Sequence, residues 1–442
     1  MYLIYIKPSI ILSILESYNF VGIKMVLREL SSQELSQLAW HTIHYFIKVG
    51  RGVDEANLKN AFYTTVANDK LASSKVTLLN NRYIFESIKP ESVPFHSEFV
   101  DDFSEKSERY NTVVNSHVPV HDYQVKMNFF KSKSGSTIVL SLAHSIASGR
   151  SGVDFISNIL REYDCLVSDK ISFSDSFDVP RPLSYYAKLK STKIMDYVDV
   201  SELDKAYSPI PIMSTVDTPR DLNTKFIDIN VIEKDYSKLV EMCKVNGVSV
   251  NSYLSACQIR AVYETFFDKG YEKLLTHNLS IDMRKKVNDA NFGGLVHFSH
   301  SGMMFMQPSD LDCVWSLSKS ISSWLERYLS SERIWASLNK IESLDLIIDD
   351  VNAPILDDTL SWSSCNSNLG IIDFKEFADT IPVEGFNFIV NRINGSHLAF
   401  ISTLNDSISI RYAFSEPHYN NECMERLTIN FKKQIINGLL IK

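Results

Sequence analysis

One stretch of the chain sets chemically useful side chains in a frame able to hold them. It reads Thr137-Ile-Val-Leu-Ser-Leu-Ala-His144-Ser-Ile-Ala-Ser148-Gly149-Arg150-Ser151-Gly152-Val-Asp154. The residues up to Ala143 predict a strand, and a short loop with Gly149 and Gly152 follows. A helix is expected to open near Ser151, with Asp154 three residues on as its capping partner. Val153, Ile156, Leu160 and Tyr163 then recur at helical period. His144 therefore stands at a strand end, held by a sheet yet able to face a cleft. That suits a general base, which must stay fixed and reachable. Structural histidines outnumber catalytic ones, so spacing alone makes His144 a candidate and no more.

Other residues of reactive type read more plainly. His297 and His300 have a spacing that would suit metal ligands on a helix, but Gly293 and Gly294 precede them and Val296, Phe298, Met303 and Phe305 read as strand. On a strand those two histidines point to opposite faces, so no metal site is expected. His117 and His121 flank Pro119 in a loop with no third ligand in view. Trp315, Trp324 and Trp335 read as a packed helical face. The 6 cysteines are scattered without C-x-x-C spacing, as expected of free thiols in a reducing, cytoplasmic setting.

The elements that must position these groups come from a chain of 442 residues with 45 basic and 53 acidic side chains, a net charge of −8. No basic stripe is present, which argues against nucleic-acid binding. Apolar residues make up 45%, with 25 Phe and 20 Tyr, enough for a large core. Glycine is scarce at 15 residues, and neither G-x-G-x-x-G nor G-x-x-x-x-G-K-[ST] occurs, so phosphate-cradling loops are excluded. The length suggests two domains. Residues 1–24 form an N-terminal extension whose short apolar run is bracketed by Lys7, Pro8 and Glu16, too short for a membrane span. A capping box at Ser31 and Glu34, with Leu30 and Leu35 as a hydrophobic staple, marks a firmer start. Residues 25–207 form a first lobe, 208–220 a crossover carrying Pro209, Pro211 and Pro219, and 221–442 a second lobe.

Within the first lobe, Gly52-Val53-Asp54 leads into a helix burying Leu58, Ala61 and Phe62, and 125–130 with 137–143 form a hairpin. Within the second, Gly247-Val248-Ser249 precedes a helix burying Leu254, Ala261 and Val262, and 278–283 is a strand. Residues 397–404 and 407–414 are strands joined at Asn405-Asp406, followed by a helix over 421–440.

The residues Ala143 to Gly152 resemble the H-H-x-x-x-D-G motif of the coenzyme A-dependent acyltransferases, which share a fold with chloramphenicol acetyltransferase and the condensation domains of nonribosomal peptide synthetases. The continuation Gly149-Arg150-Ser151-Gly152 is similar to the alcohol acetyltransferase-like branch. His144 and Gly149 match, whereas Ala143 replaces the first histidine and Ser148 the aspartate. Leu27-Arg28-Glu29-Leu30, Gly247 to Ala256, Ile281-Asp282-Met283-Arg284 and Ser367-Asn368-Leu369-Gly370 resemble further family segments in order.

The resemblance implies an α/β fold of two chloramphenicol-acetyltransferase-like lobes, each a mixed sheet with flanking helices, forming a V around a central tunnel. It implies acyl transfer from acyl-CoA as co-substrate to an alcohol or amine, with His144 as base and no bound cofactor or metal. A carrier-protein-bound donor, or a catalytically silent binding protein on the same fold, are the alternatives. By the same resemblance Arg284 is the structural arginine that Ser148 cannot neutralise, with Asp282 as substitute, so Ser148→Asp is expected to raise activity or stability. Ser364, Asn366 and Asn368 are the oxyanion or substrate candidates, and Arg150, Lys285 and Lys286, with Arg284, the residues for an anionic coenzyme A. A cytoplasmic monomer without integral membrane insertion is expected.

Overall fold

Alternation of apolar and polar residues builds three sheets in this computed structural model. It describes residues 25–38, 41–133, 135–171, 175–195, 214, 222–231, 233–268, 270–287, 293–344, 362–377, 379–391 and 397–440. The N-terminal extension and nearly all of the Pro-rich crossover lie outside the described residues.

The first half runs β1 (Val26–Glu29), α1 (Ser32–Leu35), β2 (Thr42–Val49), α2 (Glu55–Asn68), β3 (Ser74–Leu79), β4 (Arg82–Ser87), β5 (Phe95–Phe99), α3 (Glu108–Val114), β6 (Val125–Ser132), β7 (Gly135–Ala143), α4 (Gly149–Val167) and α5 (Leu183–Lys190). The second runs β8 (Asn223–Val231), α6 (Glu233–Asn246), α7 (Val250–Phe266), β9 (Leu275–Asp282), α8 (Arg284–Val287), β10 (Ser299–Met306), α9 (Val314–Ser330), α10 (Arg333–Ser343), β11 (Ser364–Ile372), β12 (Val383–Val390), β13 (His397–Leu404), β14 (Ser407–Glu416) and α11 (Asn421–Gly438). Ser31 and Glu34 form the expected capping box on α1. Asn405 and Asp406 both take left-handed φ, which matches the twist of the β13–β14 hairpin they close.

Two mixed sheets dominate. The first-lobe sheet has the order β12-β2-β7-β6-β5 and the second β10-β9-β11-β13-β14-β8, while β1, β4 and β3 form a small third sheet. In β2 every residue but Lys48 is buried, as expected of an interior strand covered on both faces. The simple division at 208–220 is corrected in one respect: β12, from the C-terminal half, pairs antiparallel with β2 and completes the first-lobe sheet. The lobes are therefore interlocked by a shared strand.

A second lock is Arg411 on β14, fully buried. Its Nε and Nη2 bond the two carboxylate oxygens of Asp228 at 2.8 and 2.7 Å, and Nη1 donates to the Tyr110 hydroxyl of α3. Its guanidinium lies 4.1 Å from the Phe226 ring centroid, with Phe46 and Tyr110 also facing it. Removing the cation leaves a carboxylate with little water to replace its partner. Arg411→Met is expected to cost about 3–5 kcal/mol, read as a shift in urea midpoint; a change below about 1 kcal/mol would show that this cluster does not tie the lobes.

Candidate active site

β7 is the central strand of the first-lobe sheet, between β2 and β6, and His144 is the first residue beyond it. The His144 N–H donates to the His41 carbonyl at 3.0 Å, so sheet pairing still holds its backbone. Its Nδ1 lies 2.8 Å from the Ala147 carbonyl oxygen. A carbonyl can only accept, so Nδ1 carries the proton and Nε2 presents a lone pair. Burial lowers the His144 pKa from the ordinary 6.5, against the opposing pull of its backbone hydrogen bonds. The ring is thus neutral near pH 7, in the tautomer a base needs.

Two further histidines join it. The His297 ring centroid lies 5.0 Å from that of His144 at an interplanar angle of 75°, and His41 lies at 6.4 Å. Burial, then the neighbouring His144, lowers His41 to about 4 and His297 to about 3. His297 precedes β10 rather than lying on it, so strand alternation does not separate it from His300. Both line one cavity of about 290 Å³ with His144. Among the described residues no group of three or more His, Cys, Asp or Glu is arranged to hold a metal.

Ser148 is the N-cap of α4, with Ser151 rather than Asp154 as its capping-box partner. The Ser148 N–H and the Ser151 hydroxyl both donate to the Val296 carbonyl at 2.9 Å. This stitches the segment bearing His297 against the loop bearing His144. Gly152 is needed one residue on, because a Cβ there would lie 2.1 Å from the Tyr45 hydroxyl oxygen, and that hydroxyl donates to the Gly149 carbonyl at 2.9 Å.

Arg284 opens α8 instead of continuing β9, and its charge is doubly matched. Nη2 donates to Asp282 at 2.8 Å, Nε spans both Asp282 oxygens at 3.1 Å, and Nη1 bonds Asp154 on α4. Asp154, one turn and a half into the helix, does what an aspartate at 148 would do. Ser148 makes no hydrogen bond with Arg284, bonding Ser151 and Val296 instead, and is itself buried. The expectation for Ser148→Asp is therefore reversed: a third carboxylate in this buried loop should lower the melting temperature, whereas a rise would show that Arg284 still lacks a partner.

A larger cavity of about 790 Å³ is lined by Ser148, Gly149, Arg150, Asp282, Arg284, Lys285 and residues 367–371. Ser280 and Ser299 line both cavities, so the two adjoin at those residues, and His144 lines the smaller one. Arg150 reaches across the lobes to the Leu369 and Ile371 carbonyls at 3.1 and 2.8 Å. Lys285 lines the larger cavity; Lys286 is exposed outside its lining.

The expected oxyanion candidates are not brought to His144. Ser364 and Asn366 are buried within the second lobe, bonding His277 at 2.7 Å and Ser255 at 2.8 Å. Asn368 lines the larger cavity, but its amide nitrogen bonds Asn251 at 3.1 Å and its Oδ1 accepts the Gly370 N–H at 2.8 Å. That is turn chemistry, with Gly370 at a φ of 70°. His41, His297, His300 and Asp154 are the site residues that sequence reasoning missed.

No family model and no curated protein matches the sequence. Solved structures do. The first condensation domain of the calcium-dependent antibiotic synthetase superposes with a TM-score of 0.74 at 11% identity, covering 94% of this chain and 97% of that one. Polyketide synthase associated protein 5 from Mycobacterium tuberculosis gives 0.71 at 12%, over 94% and 99%. The TRI3 trichothecene 15-O-acetyltransferase from Fusarium sporotrichioides gives 0.66 at 9%, over 92% and 95%. No helix among the described residues is long and apolar enough to cross a membrane. With its two mixed sheets, flanking helices and near-complete superposition, the chain has the two-lobed α/β fold of the condensation domains and of chloramphenicol acetyltransferase.

Proposed function

We propose that the chain is an acyltransferase that moves an acyl group from an acyl-CoA thioester to a hydroxyl or amine, with His144 as general base. The observation that carries this reading is the hydrogen bond from His144 Nδ1 to Ala147, which leaves Nε2 as an acceptor on a residue that lines the smaller of two adjoining cavities. Nε2 takes the proton of the acceptor as its oxygen or nitrogen attacks the thioester carbonyl. The tetrahedral intermediate then collapses, the C–S bond breaks, and the imidazolium returns the proton to the thiolate. The thioester supplies the activation, so this scheme calls on no bound cofactor.

The larger cavity suits the donor, since Arg150 and Lys285 line it and coenzyme A is an anion. Arg284 contributes less positive potential there than its type suggests, because Asp154 and Asp282 neutralise it. The Ser367-Asn368-Leu369-Gly370 turn lies on the same wall, in keeping with an alcohol acetyltransferase-like enzyme. Superposition on a condensation domain keeps a carrier-bound donor as the second reading.

The test is to incubate purified protein with acetyl-CoA and longer acyl-CoAs, an alcohol and amine panel, and a thiol reagent. Acceptor-dependent release of free thiol is the expected result. Release only from a phosphopantetheine-loaded carrier would select the second reading, and none from any donor would support a silent binding protein.

A further inference from the structure

The smaller cavity has a chemical character that goes beyond the proposed reaction and rests on that reading. Besides His144, His297 and His300, its walls include Asn278, Gln37 and Trp362, and Ile341 is the one lining residue whose side chain cannot hydrogen-bond. None of the described lining residues is Asp, Glu, Lys or Arg.

Two polar atoms in these walls are buried without a hydrogen-bond partner: Asn278 Oδ1, an acceptor, and Trp362 Nε1, a donor. Asn278 is 4% exposed and sits on β9 opposite Met303 of β10. A buried polar atom left unpaired costs about 1–3 kcal/mol, and both of these belong to residues that line one cavity, so a ligand seated there that reached them would gain by satisfying both. His300 is held from behind, with Nε2 at 2.9 Å from the Ser337 hydroxyl and 3.2 Å from that of Tyr328. A pocket of this kind rewards several hydroxyls and offers little to an alkyl chain. With no carboxylate among its described lining residues and its histidines neutral, these walls also give an ammonium group nothing to pair with.

We propose that this chamber takes an uncharged polyhydroxylated acceptor, such as a sugar alcohol or glycoside, one hydroxyl of which is acylated while others bond Asn278 Oδ1 and Trp362 Nε1. The reacting oxygen forms the ester bond to the acyl carbon, its proton passes through His144 Nε2, and the thiol leaves with that proton. The products are an O-acyl polyol and free coenzyme A.

The experiment compares matched acceptors at fixed acetyl-CoA: sorbitol and methyl glucoside against 1-hexanol, and each against hexylamine and glucosamine. The kcat/KM of the better polyol should exceed those of hexanol and of both amines by at least about 100-fold. Asn278→Leu and Trp362→Phe should each collapse the polyol-to-hexanol ratio by about tenfold or more. Preference for hexanol or an amine, or a ratio unchanged in both folded variants, would overturn the assignment.

Saturation-transfer NMR of the same polyols without any acyl donor separates this inference from the acyl-transfer reading. Polyol binding that is lost in Asn278→Leu, with no thiol release from any donor, would leave the chamber assigned and the reaction refuted. Absence of polyol binding in an enzyme that acylates hexanol would refute the chamber alone.

Discussion

His144→Ala is expected to lower kcat/KM for acyl transfer by about 10²–10⁴-fold, the usual worth of a positioned base, while leaving the protein folded. The side chain is half-buried and its ring bonds the carbonyl of its own loop, so little tertiary structure depends on it. The loop is held separately, through Ser148, Ser151 and the Val296 carbonyl. A melting temperature close to that of the parent would confirm that the loss is chemical. The pH profile supplies a second check. A base works only when neutral, and burial lowers this imidazole below its ordinary 6.5, so kcat/KM should stay level as pH falls through 7 and decline only at more acid values. His297→Ala is the comparator, since its ring lies 5.0 Å from that of His144. Turnover that survives in His144→Ala but not in His297→Ala would move the base to position 297.

Much of this site could be read before any coordinates because its parts are local. Strand alternation ending at Ala143, the turn glycines and the helical period after them lie within one short stretch, and each follows from backbone geometry over a few residues. The partners of that stretch were not legible because they arrive from far along the chain. His297 comes to His144 through the Val296 carbonyl, and Asp154 meets an arginine 130 positions away. No period or cap encodes those meetings.

Two departures of the structure from the sequence pattern have a local cause. The residue pattern around His297 and His300 predicts strand neighbours on opposite faces, but β10 begins only at Ser299. The family resemblance offers Ser364 and Asn366 as oxyanion candidates, whereas their alternation on β11 turns them toward His277 and Ser255 in the second-lobe interior. The transfer of β12 into the first-lobe sheet and the cluster around Arg411 left no local trace, since both depend on which strands pair across the lobes.

The protein should also be acid-labile well before its carboxylates titrate. Burial lowers His277, His297 and His397 to about 3 and His300 to about 4, with the neighbouring His144 a lesser influence on His297. Their hydrogen-bond partners do not include a carboxylate that would welcome a cation: His277 faces Ser364, His397 faces Tyr412, and His300 faces Ser337 and Tyr328. In the unfolded chain each returns to about 6.5. Between the folded and unfolded values the unfolded state binds more protons, so stability is full above pH 6.5 and is lost as pH falls toward 4. At pH 5 each histidine costs on the order of 2 kcal/mol, and together they approach the whole stability of a typical domain, about 5–15 kcal/mol.

Asp69 acts in the opposite sense. Burial raises it to about 6 despite backbone hydrogen bonds from Leu295, Ala72 and Leu71, which returns roughly 1 kcal/mol at pH 5. The melting temperature should therefore be level from pH 8 to 7 and fall steeply between 6.5 and 5. His397→Phe should lessen that fall, because the new ring can keep the stacking on Phe266 while Gln258 still bonds the Tyr412 hydroxyl. A melting temperature at pH 5 within about 2 °C of that at pH 7.5 would refute the account, since for a chain of this length protonation of these histidines together, though not of any one alone, is worth several degrees. Acid loss of activity would then have two separable origins. Titration of His144 reverses at once when pH is restored, whereas unfolding driven by the buried histidines follows the thermal transition.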